Sequence, residues 1–176
     1  STAAFNGFIN DVKLYNYERS ADQLKTEYNA RGSVKGVGTQ TGNSDVYKNL
    51  SNGLVGYWKM DENTASSTSN SSGSYAVGTL NSGVAWATGK YGSGLQFDGT
   101  DDDVSLGTST NLDFTQNMTL AAWIYPTGWG EANYGTILSR QTGSTVGYQF
   151  EISNNAGEQT LTIYNGHDSC MANTSA

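Results

Sequence analysis

From residue 54 to residue 164 the chain repeats one unit, a short apolar run followed by a polar turn, about every ten residues. The runs fall at 54–60, 79–80, 84–86, 94–97, 104–106, 118–125, 135–139, 147–152 and 159–164. They are too short for packed helices, and the better ones alternate. Leu95 and Phe97 share one face, as do Leu120, Ala122 and Ile124, and Pro126 stops the longest run. Asp98-Gly99 has turn chemistry, and 61–75 is a polar loop. Many short strands at this spacing predict an all-β sandwich.

A separate unit precedes this array. In 5–17, Phe8, Ile9, Val12, Leu14 and Tyr15 are apolar, and Asn10-Asp11 interrupts them. A strand with a bulge at the interruption fits. Ser20 and Gln23 have the spacing of a capping box, with Leu24 and Tyr28 following at i, i+4, so a short helix is expected over 20–29. The stretch 32–53 is rich in Gly, Ser and Asn and lacks periodicity. It reads as a flexible linker, with a mean reach of roughly 25 Å for some twenty residues. The expected organisation is therefore 1–31, a linker over 32–53, and 54–176.

A chain of 176 residues can bury one sizeable core. Aromatic content of 11% argues against disorder. A formal net charge of −7 argues against nucleic-acid binding, which needs a basic footprint. No apolar run is long enough to span a membrane as a helix, and no signal peptide is visible. The first residue is Ser1, not Met, which reads as a processed or excised product. One cysteine, Cys170, leaves no internal disulfide framework and reads as a small hydrophobe or an intermolecular partner. Sequons at Asn49, Asn70, Asn117 and Asn173 are expected by chance in so Asn/Ser/Thr-rich a chain.

The blocks GLVGYWKMDE, LQFDGTDDDVSLG, MTLAAWIYP, GTILSR and YQFEI together resemble the laminin-G-like, concanavalin A-type jelly roll. Tyr57, Trp58, Asp61, Glu62, Phe97, Asp98, Gly99, Asp102, Val104 and Trp123 sit where that family's pattern wants them. The family closes with a strand like GFINDVKLYN followed by a short helix, and here that block comes first, at 7–16. The resemblance implies that 5–17 is a closing strand out of order and that about three late strands are absent. Three explanations follow: the tail of a preceding repeat, a permuted fold, or a strand given to a neighbouring copy. A sandwich missing a strand exposes an edge that invites pairing. Head-to-tail donation would then propagate as a filament unless it closes into a ring.

Candidate sites follow from residue types. Asp98, Asp101, Asp102 and Asp103 crowd hard oxygen ligands onto one turn, which suits a structural Ca²⁺ or simply a solvated Asx turn. The resemblance implies that Asp11 adds a carboxylate, which would couple metal binding to strand docking. Trp129, with Asn133 and Tyr134, reads as an aromatic platform for a sugar or as a loop folded onto the sandwich edge. Trp58, Trp86 and Trp123 read as core. His167 stands alone, and Glu151 is the single strand glutamate of the middle block with no E-x-D-x-E pattern beside it. Catalysis is therefore not expected, although glycosidases share the fold class. The expectation is an extracellular or cell-surface module for adhesion or glycan binding. The alternative is a repeat or subunit of a surface fibre, partnered by neighbouring copies through residues 8–15.

Overall fold

In the computed structural model the described residues are 3–32, 52–73, 77–114, 117–142, 145–155, 158–165 and 168–173. The linker expected over 32–53 therefore falls almost wholly outside them, as does His167. The fold is all-β and sandwich-like, with one α-helix among the described residues. Strand β1 is Asn6–Tyr15 and helix α1 is Ala21–Gly32. There follow β2 (Leu54–Trp58), β3 (Ser67–Thr68), β4 (Gly78–Asn81), β5 (Ala85–Thr88), β6 (Ser93–Asp98), β7 (Asp103–Ser105), β8 (Thr119–Pro126), β9 (Tyr134–Thr142), β10 (Thr145–Asn155), β11 (Glu158–Asn165) and β12 (Asp168–Asn173).

The amino-terminal strand lies at the heart of the first sheet. Its first half pairs antiparallel with β6, Asn6 to Asp98 through Ile9 to Leu95. Its second half pairs with β2, Val12 to Trp58 onward. Strand β8 runs along the opposite edge from Gly7 to Tyr15. Strand β5 extends the sheet beyond β6. The expected bulge is present: the β1–β8 register shifts between Asn10 and Lys13, and Asp11 takes φ 59°. Gly7, at φ 140°, is required, because a Cβ there would collide with the carbonyl of Tyr125.

The bulge sets which side chains face inward. Ile9, Val12 and Leu14 of β1 are buried with Trp58, Leu95 and Phe97, and Phe5 meets Phe97 edge-on at 6.2 Å. Leu120, Ala122 and Ile124 of β8 pack against them. The facing sheet, in the order β12-β11-β10-β9, contributes Ile137, Tyr148, Phe150 and Ile152. A small third sheet, β3-β4-β7, caps one side. Two strands were not expected: β3, within the polar loop, and β12, after Asn165. Strand β3 is only two residues long, held by Ser67 and Thr68 opposite Thr79 and Gly78. Cys170 pairs with Ile163 through its backbone in β12.

The helix begins on the expected capping box. Gln23 N donates to Ser20 Oγ, and Ser20 N donates to Gln23 Oε1. It docks through the charge of Glu27 and through the Tyr28 ring, 5.2 Å from that of Trp123. Glu27 forms an ion pair with Lys13, lies 3.4 Å from Arg19 Nη2 and accepts from the Tyr15 hydroxyl. Burial, followed by the charge of Glu27, pushes the Tyr15 hydroxyl well above its ordinary range.

Candidate ligand-binding site

On β8 the outward positions alternate with the core positions, so Trp123 and Tyr125 face away from the sandwich interior. This corrects the expectation that Trp123 is core. Trp58 is fully buried and Trp86 packs against the core, its Nε1 donating to Ala65 O. Trp123 instead lies on the outer face, with the Tyr28 ring at 5.2 Å, the Tyr91 ring edge-on at 5.5 Å and Lys90 Nζ 5.6 Å from its centroid. The β1–β8 register places Phe8 opposite Tyr125 and Asn10 opposite Trp123, and the Phe8 and Tyr125 rings lie 6.2 Å apart.

These residues form a trough of about 490 Å³, lined by Phe8, Asn10, Thr88, Gly89, Lys90, Trp123, Ile124 and Tyr125. Tyr125 is 68% exposed and Tyr28 is 63% exposed. One wall, residues 89–92, is braced at several points. Asn10 is buried, donates to Lys59 O at 2.9 Å and Ser93 O at 2.6 Å, and accepts from Tyr91 N. Gly89 N donates to Gly92 O, and Ser93 N donates to Asp61 Oδ1. Asn10 therefore acts as a structural clamp. Its interruption of the apolar run was legible; its role was not.

The loop carrying Trp129, Asn133 and Tyr134 leaves β8 just beyond the trough. It is tied to the amino terminus: Thr127 N donates to Asn6 O, Glu131 N to Ala4 O and Thr136 N to Ala3 O. Trp129 is 38% exposed and Tyr134 47%. Tyr134 opens β9 and pairs with Ser153, so its ring belongs to the outer face of the other sheet. There Glu151 is buried, accepts from Gln149 Nε2 at 2.6 Å and helps burial raise the Tyr164 hydroxyl. Tyr134 thus belongs to the other sheet, and none of the three loop residues lines the trough.

The acidic turn divides. Carboxylate oxygens of Asp98, Asp101 and Asp102 lie within 4.8 Å of one another, which would suit a cation. Asp102, however, is buried and already accepts from Gly83 N at 2.7 Å and Asp98 N at 2.8 Å. Asp98 accepts from Thr100 N, as an Asx turn requires. Asp103 instead accepts from Asn81 Nδ2. The expectation that Asp11 joins this group is not met. Asn6 is the β1 residue opposite Asp98, and Asp11 is five positions further along, past the bulge, accepting from the Tyr57 hydroxyl at 2.8 Å. Asp61 and Glu62 hold loop amides, at Ser93 and Ser69. No protein-family model, curated protein or solved structure matches the chain.

Proposed function

We propose that this chain is a non-catalytic, laminin-G-like jelly-roll module of an extracellular or cell-surface protein, and that it binds glycans through the trough on the outer face of the first sheet. The observation that carries the reading is a set of aromatic rings, Phe8, Trp123 and Tyr125, lining an open groove whose wall is fixed by Asn10. Rings present flat apolar faces to the C–H faces of a sugar, while a rigid mount reduces the ordering cost of binding. A glycan-array screen followed by calorimetric titration of the hits tests it. Tyr125→Ala, at a largely exposed position, is expected to weaken binding at least tenfold without changing the melting temperature. Unchanged affinity would remove the reading's support.

A structural Ca²⁺ at Asp98 and Asp101 belongs to the same proposal, supported by the convergence of the three carboxylates. A second reading, a fibre subunit completed by neighbouring copies or tandem repeats, is favoured by two other observations. Strand β1 makes backbone pairs along both edges, the bonding a donated strand would supply. In addition, a cleft of about 570 Å³ opens between the sheets along residues 100–108, and β9 and β12 each pair with one neighbour among the described residues. Sedimentation across a hundredfold concentration range separates the readings: a fibre subunit grows into long species, whereas a binding module stays at one mass.

A further inference from the structure

We propose that the trough selects a pyranose ring that carries a carboxylate. The inference rests on the glycan reading above and adds to it the charge of the ligand. Of the polar side chains lining the groove, Asn10 is spent on backbone partners, which leaves the Thr88 and Tyr125 hydroxyls, the Trp123 indole N–H and one cation, the Lys90 ammonium. Among the described residues no carboxylate pairs with Lys90. Its charge stands over the Trp123 ring, at the wall where a stacked sugar would place its substituents. The placement is enforced from below, because Lys90 belongs to the 89–92 turn that Asn10 clamps to the sheet.

The rest of the protein makes this cation informative. At a net charge of −7 the molecule repels anions in general. An ammonium held in an aromatic groove offsets that repulsion at one place. The geometry therefore pairs a stacking surface with a single positive charge beside it. A pyranose carboxylate supplies both complements: a flat C–H face for Tyr125 and Phe8, and an anion projecting from the ring edge toward Lys90. The groove volume lies within the roughly 300–1,000 Å³ usual for small-ligand sites.

The test titrates the full chain with three oligosaccharides of equal length: oligogalacturonate, the neutral galactose oligomer and a sulfated form of that neutral oligomer. The carboxylated oligomer is expected to bind about tenfold more tightly than the neutral one, the low end of one charge-assisted hydrogen bond. Lys90→Gln should bring that ratio to about one, and Lys90→Arg should keep it. Equal binding of carboxylated and neutral oligomers overturns the proposal while leaving the glycan reading intact. So does a sulfated oligomer that binds as well as the carboxylated one, since the site would then read anions in general. Binding of none of the three, together with a blank glycan array, removes both.

Discussion

Leu14→Ala examines the role of β1 through its core side. Leu14 is fully buried, on a strand paired along both edges, and its neighbours in the core include Trp58 of β2 and Leu120 of β8. Removing three buried carbons forfeits their transfer free energy and leaves a cavity that paired strands cannot readily close. The expected cost is about 3 kcal/mol, set against a total of about 5–15 kcal/mol for a domain. For a chain of this size that corresponds to a melting temperature lowered by roughly 6–12 °C. Urea titration followed by tryptophan fluorescence measures it, because Trp58 reports from the same cluster. Leu24→Ala on the helix is the matched control. Leu24 is 40% exposed, so a change within about 0.5 kcal/mol is expected. A Leu14→Ala cost below about 1 kcal/mol would refute the argument, since a fully buried side chain on a doubly paired strand cannot be removed so cheaply.

Other perturbations address separate links. Ser20→Ala removes one arm of the capping box and is expected to cost about 1 kcal/mol, read by denaturant titration. Asp102→Ala strips the acceptor from two backbone amides and should cost about 2–3 kcal/mol in chelator as well as in calcium. A cost seen only with calcium present would instead assign Asp102 to the metal. Stability should also fall in alkali. Burial pushes the Tyr148 hydroxyl up to about 12, against 10 in the unfolded chain, so the folded form holds its proton more tightly. Its contribution is complete below pH 10 and is lost as pH rises through 10 to 12. Tyr148→Phe should make the denaturant midpoint fall less steeply across that window, the remaining slope coming from Tyr15, whose hydroxyl is also raised by burial.

Much of this architecture is written in local pattern. The strand–bulge–strand reading of residues 5–17, the Asp98-Gly99 turn, the capping box and the shared face of Leu120, Ala122 and Ile124 all rest on neighbours one to four positions apart, where sequence periodicity carries the information. What escaped depends on partners far away in the chain. Trp123 sits in an apolar run on both faces of its strand, so alternation could not say that its face would be outside until β1 and β6 supplied the sheet. Strand β3 is two polar residues whose only strand signal is the partner β4. Asn10 reads as a polar interruption because its three partners come from residues 59, 91 and 93. The failure of Asp11 to meet the acidic turn follows from its position along the strand. Carboxylates on one β-hairpin turn are neighbours in sequence, whereas Asp11 lies well up the strand from the turn, where the bulge sends it to Tyr57.

Hydrogen exchange of the backbone amides in β1 bears most directly on the claim that this strand completes the sandwich from its centre. Ladder bonds on both edges predict that amides between Gly7 and Tyr15 exchange as slowly as those of β8, through global opening. Exchange of those amides at the rate of an unstructured peptide, while β8 stays protected, would contradict it.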